Sequence, residues 1–416
     1  MTGSSETPQV LPDRPDLRHL KDQAKDLLRS GDARSLADAL FGVARRYGFA
    51  SWPALKSHVE SLQAQRALER EAESAVAHLK RAIDTEDLDR VIALMTANPD
   101  LHHAPMGYAN NGPLTWVAEC RVPWRPPSAA RLAIAEWMLD HGSDVHQGGD
   151  GPLMRAALHG DRVPMMRLLV SKGANVNGVW NGTFPIVFAP CETLDPAALA
   201  WLLDHGANPN CSDPAREFPG TALDYVLGTY VRTPQLSVCI ELLLAAGATT
   251  TYDVPAVLSL LRGRMDHFRD DLATDPSLIS QRFPTLDFGT SGGRMLTLRG
   301  ATLLHVAAEF RNDDAIRLLL DRGADVNAPA LIDETGVGGQ TAIFHAVTQS
   351  DDAGLTTARL LLDAGADLSI RVKVPGHYEQ PGATVECTPL GYLLSIADES
   401  ARPNTAALLR AQGAPL

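Results

Sequence analysis

Residues 301–327 read ATLLHVAAEFRNDDAIRLLLDRGADVN. An amphipathic run, IRLLLD, ends at Gly323, a residue that closes a helix cheaply because it adopts the left-handed conformation without a Cβ clash. Ahead of it lies a second, shorter apolar run, LLHVAAE, entered through Thr302, a residue type that caps helix starts. The stretch therefore predicts two short helices packed as a pair.

The same pattern recurs. AEWMLDHGSDV (135–145), MRLLVSKGANV (166–176), LAWLLDHGANP (199–209), CIELLLAAGAT (239–249) and ARLLLDAGADL (358–368) share the second helix and its glycine, and AALLRAQGAPL (406–416) closes the chain. First helices precede them in GPLTWVAE (112–119), GPLMRAALHG (151–160), GTALDYVL (220–227), GQTAIFHAV (339–347) and CTPLGYLL (387–394). Pro in the first turn suits such entries. The terminal glycines fall at 142, 173, 206, 247, 323, 365 and 413. The wide gap after Gly247 hides one degenerate unit, 254–279, whose sibling is EDLDRVIALMTANPDL (86–101). No single pair can bury its Leu-rich stripe alone, so neighbours must stack on a continuous core.

The 301–327 segment resembles the ankyrin repeat, whose pattern opens T-P-L-H-x-A-A and ends L-L-L-x-x-G-A-D-x-N, at a period of about 33 residues. The resemblance implies an all-α solenoid of about nine helix-pair units over 72–416, with long finger loops, and gives His305 a structural role in hydrogen bonding across its loop. It also implies that turns and first helices form the usual binding surface, and that the partner is a protein.

Ahead of the array, 13–71 is expected to form an N-terminal helical module and 1–12 a disordered tail. DLRHLKDQAKDLLRSG and SLADALFGVARRYG predict helices closed by Gly31 and Gly48. Ser51 caps a third helix with Pro53 in its first turn, and the stretch from Trp52 to Ile83 is read as one helix of roughly thirty residues. The combination resembles helical modules found ahead of bacterial ankyrin arrays.

Charge and cysteines narrow the function. The chain carries a net −13, distributed as +2 over 1–66 and −15 over the remainder, which disfavours a phosphate backbone as ligand. Six of the 37 basic residues are Lys, the composition of a GC-rich bacterial genome. The five cysteines include no CxxC pair, and no secretory signal or spanning helix is visible, so a reduced, cytoplasmic protein without nucleic-acid or membrane partners is expected. No HExxH, GxSxG or Walker loop occurs, and no metal or other cofactor is expected. FGTSGGRM (288–295) reads as a flexible linker rather than an anion nest.

Two features point to a surface. Aligned units place Trp116, Arg155, Phe188, Tyr225, Leu258, Val306, His345 and Tyr392 in one row, four of them aromatic; it is either a sticky stripe beside the groove or inter-unit packing. The last two connections are elongated. RVKVPGHYEQPGATVEC (371–387) alternates, turns at Pro375–Gly376 and resumes, which predicts a short hairpin. Candidate contacts on the fingers are Asp333, Glu334, Arg371, Lys373, His377 and Tyr378, and on the row Trp116, Arg155, Tyr225, His345 and Tyr392. The leading expectation is a non-enzymatic scaffold presenting a concave groove and fingers to a protein partner of basic character. The alternative is an enzyme or small-molecule-binding protein using the groove and the 371–387 arm as a pocket, with Arg155, Tyr225, His345, His377 and Tyr378 as its acid–base or anion-binding groups.

Overall fold

A computed structural model describes residues 9–12, 15–72, 74–107, 111–121, 125–211, 220–290, 293–380, 382–397 and 399–416. Contacts divide the chain into two compact units, 1–104 and 105–416. Among the described residues no helix is long and apolar enough to cross a membrane.

In the first unit, the helices Leu17–Ser30, Leu36–Arg46 and Trp52–Ala72 meet over Leu20, Ala24, Val43, Leu55 and Val59. Each starts on a side-chain cap: the Asp16 carboxylate accepts from Arg18 N, Ser35 Oγ from Asp38 N, and Ser51 Oγ from Ala54 N. The single helix read from Trp52 to Ile83 is two. The first ends at Ala72, and Ser74 starts another, Ala75–Asp84, by accepting from Ala77 N at 3.0 Å. A serine hydroxyl that competes for backbone N–H groups favours a helix start over a helix interior, which is why the missing Gly or Pro misled the reading. The pair Ala75–Asp84 and Leu88–Ala97, assigned to the array by its sequence, lies within this first unit. Of the tail expected over 1–12, residues 1–8 lie outside the described ones, and Gln9 N donates to Arg46 O at 2.8 Å.

The second unit stacks eight helix pairs among the described residues. The best-formed is Leu303–Glu309 with Asp313–Asp321, followed by Ala342–Val347 with Leu355–Asp363 and Pro389–Ile396 with Pro403–Ala411. The degenerate stretch forms a pair too, Pro255–Leu261 with Met265–Thr274. All seven terminal glycines adopt left-handed φ, from +75° at Gly413 to +117° at Gly142.

Those glycines do more than stop helices. Asn327 Nδ2 donates to the Gly365 carbonyl of the next unit at 3.0 Å, and its Oδ1 accepts from Asp367 N at 2.8 Å. Asn177 does the same with Gly206 O and Asn208 N, and Asn210 with Gly247 O and Thr249 N. The helix terminus thus offers its orphan carbonyl to the preceding unit's asparagine, and the ladder fixes the register of one pair on the next. The first helices are tied similarly. His305 accepts from Thr302 N on Nδ1 at 3.2 Å and donates from Nε2 to Gln340 O of the next unit at 2.9 Å. Asp224, at the equivalent position, accepts instead, from Thr250 Oγ1 and Thr251 N.

Replacing Asn327 by Ala removes both ladder bonds and leaves the Gly365 carbonyl to water. A loss of about 1–2 kcal/mol is expected, read as a lower urea midpoint at unchanged slope; an unchanged midpoint would show that stacking alone sets the register.

Candidate functional site

Glu309 closes the helix Leu303–Glu309, every residue of which is buried. A carboxylate there must find counter-charge or lose its ionisation. Among the described residues, three donors from distant parts of the chain reach it. Arg294 Nη2 donates to Oε2, Arg232 Nη2 to Oε1 at 3.1 Å, and His345 Nδ1 to Oε2 at 2.8 Å. Burial pushes the Glu309 carboxyl up, but Arg294, the His345 hydrogen bond and Arg232 outweigh it and hold it well below the usual carboxylate range. His345 is shifted down, by burial first, with Glu309 opposing. Its proton therefore sits on Nδ1, while Nε2 is buried with no hydrogen-bond partner among the described residues, and the ring stands edge-on to His305 at 5.8 Å between centroids. Burial likewise lowers His305 to about 3.

The two arginines also grip main chain. Arg294 Nη1 donates to Leu296 O at 3.0 Å and Gly289 O at 3.4 Å. Arg232 donates to Thr229 O, Val231 O and Thr290 O, and its guanidinium lies 4.5 Å from the centre of the Phe310 ring. The segment expected as a flexible linker, 288–295, is thus anchored in its described residues; residues 291–292 lie outside them. The reason is Arg294, which the sequence hides among glycines.

This segment is one of three that join. Leu331 N donates to Gly300 O at 3.0 Å, Gly338 N to Lys373 O at 2.8 Å, Met295 N to Gly376 O at 3.2 Å and Tyr378 N to Gly293 O at 2.9 Å. The 371–387 stretch forms a hairpin, with Val372–Pro375 antiparallel to Thr384–Cys387 and Val374 opposite Val385. Between the 284–300 segment and the 331–340 arm lies a cleft of about 680 Å³. Met295, Leu331 and Ile332 line it, together with the carboxylates of Asp287, Asp333 and Glu334 and the guanidinium of Arg299. The first three are 43%, 48% and 63% exposed. Asp333 is held as an anion, below the usual carboxylate range, first by the Thr335 hydroxyl and then by the backbone N–H of Val337.

The row of first-helix residues divides. Trp116, Arg155 and Tyr225 are half-buried; Arg155 lies 3.8 Å from Glu119 and over the Trp180 ring, and Tyr225 stacks on Phe188 at 4.7 Å. His345 and Tyr392 are wholly enclosed, the first by the carboxylate hub and the second donating its hydroxyl to Pro375 O at 2.7 Å. On the hairpin, Arg371 and Lys373 are exposed but spend a proton each on carbonyls, of Leu416 and Thr335. His377 accepts from Glu379 N, and Tyr378 is 56% exposed. Neither His345 nor His377 lines the 680 Å³ cleft. Sequence reasoning missed Glu309 and its arginines, although a lone acid ending an all-apolar run was a signal. It also missed Met295, Leu331 and Ile332, which carry no periodic pattern.

The family described as ankyrin repeats (3 copies) matches residues 281–372, and the single ankyrin repeat matches residues 148–181. The chain carries ankyrin repeats. FPV022 of fowlpox virus (strain NVSL), an ankyrin repeat protein by description, is 24% identical over 284 residues, which span 65% of this chain and 45% of the viral protein. The crystal structure of the human ASB11 ankyrin repeat domain is 24% identical, with a TM-score of 0.32 over 62% of this chain and 97% of that one. The longer family match, 281–372, contains Glu309, Arg294 and His345, and Arg232 reaches in from outside it.

Two outcomes follow from the hub. Glu309→Gln leaves two buried guanidinium groups facing a neutral amide, and the array should lose about 3–5 kcal/mol, read from its urea midpoint. Acid should also weaken the fold. His305 and His345 have folded values below the unfolded 6.5, so the unfolded chain binds those protons first. Stability is then complete above about pH 6.5 and falls as pH drops below it, by up to about 1.4 kcal/mol per pH unit for each histidine. His345→Gln should make the acid-side slope below pH 6.5 shallower; an unchanged slope contradicts the assignment.

Proposed function

We propose that the protein is a non-enzymatic scaffold that captures a partner protein on its joined arms. Ankyrin repeats generally mediate protein–protein interaction. The observation that carries the reading is the set of backbone bonds linking 293–300, 331–338 and 373–378, which fixes an exposed apolar and acidic surface before any partner arrives. A surface already ordered loses little side-chain and loop entropy on association. The half-buried Trp116, Arg155 and Tyr225 add a second contact region toward the other end of the array. The partner has basic character, matching the net charge of −13, so its association rate falls with added salt.

Capture from a lysate of the source organism, by the full chain and by a chain lacking 371–386, tests the reading. The partner should be lost with the hairpin while the far-UV helical spectrum is kept. Equal capture by both chains would sink it.

A further inference from the structure

We propose that the cleft between 284–300 and 331–340 takes one extended segment of the partner, in which aliphatic side chains alternate with lysine or arginine. The inference rests on the scaffold reading above and names what the cleft selects.

Three observations converge on that occupant. Of the eleven large hydrophobic residues exposed among the described ones, Met295, Leu331 and Ile332 line this one cleft, and Tyr378 lies on the neighbouring hairpin. That concentration marks a binding patch rather than scattered surface. The cleft volume also lies within the roughly 300–1,000 Å³ range of ligand sites.

The charges select the sign. Asp287, Asp333 and Glu334 face one cation, Arg299. Asp287 and Glu334 have no ion-pair partner among the described residues, and Asp333 is held as an anion by Thr335 and Val337, with Arg299 adding to the effect. Nearby Lys373 is already engaged with Thr335 O. Three carboxylates around an apolar floor repel phosphate groups, whether of a nucleic acid or a lipid surface, and attract ammonium and guanidinium groups.

The walls select the conformation. Ile332 bridges Gly338 and Gly338 bridges Lys373, both antiparallel, so the 331–338 wall already pairs as extended chain at these residues. An extended ligand alternates its side chains between two faces. One face lays aliphatic groups on Leu331, Ile332 and Met295, while the other directs cations to Asp287 and Glu334 at the rim.

The probes are three labelled octapeptides, alternating Leu–Lys, Leu–Glu and Gly–Lys, titrated onto the full chain by fluorescence anisotropy at 50 and 300 mM NaCl. The Leu–Lys peptide should bind and weaken with salt; the other two should bind at least about tenfold more weakly. Leu331→Ser with Ile332→Ser, both exposed and so tolerated by the fold, should cost a similar factor. Asp287→Asn with Glu334→Gln should flatten the salt dependence. Equal binding of Leu–Glu or Gly–Lys overturns the proposal, as does unchanged Leu–Lys binding by the serine variant. If removing 371–386 abolishes partner capture while Leu–Lys neither binds nor competes, this inference fails and the scaffold reading stands. If capture is unaffected by that deletion, the scaffold reading itself has failed.

Discussion

Glu309 is the constraint from which the rest of the array's geometry follows. A carboxylate with no solvent access is tolerated only while its donors stay in place, and its donors lie 15, 36 and 77 residues away in the chain. One comes from the 289–296 segment, one from the next unit's first helix, and one from the loop that follows the helix Ala222–Gly228. The three must converge on a volume the size of one carboxyl group. The path of 289–296 is thereby set by the core rather than by its own glycine-rich composition, and Met295 and Leu296, which follow Arg294, take their places on the cleft wall as a consequence.

A second, periodic constraint accompanies this singular one. First helices of six to eight residues are far too short to hold themselves together, so their ends must be satisfied from outside. Asparagines carry one unit's register to the next at the glycine ends. At the other edge, buried arginines serve the C-termini of first helices: Arg162 donates to Arg155 O, and Arg402 to Thr348 O and Gln349 O. A cation at a helix C-terminus meets both the orphan carbonyls and the negative end of the dipole. Helix ends are therefore satisfied from the loop between a unit's own helices or from the next unit.

How far this was legible in the sequence depends on the range of the interaction. The repeat could be read because its signals sit at fixed offsets: Thr302 to His305, Leu319 to Gly323, Gly323 to Asn327. The hairpin could be read because Val372 and Val374 alternate with Arg371 and Lys373 before Pro375–Gly376. What stayed hidden pairs residues from different loops. Nothing in FGTSGGRM announces that its arginine is buried, and nothing in ALIDE announces that Leu331 will hydrogen-bond to Gly300 and leave its side chain exposed. The row from Trp116 to Tyr392 is a halfway case: alignment found it, but its exposure was decided by what packs above each member. Tyr392 is covered because the hairpin folds over it and accepts its hydroxyl at Pro375, whereas Tyr225, stacked on Phe188, stays half-buried.

The hub and the cleft stand in a directional relation. Met295, Leu331, Ile332, Asp287 and Glu334 are exposed on the cleft, so they can vary at little cost to the fold. The segment that presents Met295 cannot, because Arg294 anchors it to a carboxylate in the core. An exposed residue and a core anchor are thus adjacent in one stretch of chain, with opposite demands on each. On the proposed reading, a change at position 295 alters what the surface recognises, whereas a change at 294 or 309 alters the surface itself. The same division explains why an expensive buried charge is retained where an apolar trio would pack as well. Leucines at 232, 294 and 309 could fill the space, but they would release the carbonyls of Gly289, Thr290 and Leu296, and with them the shape of the wall.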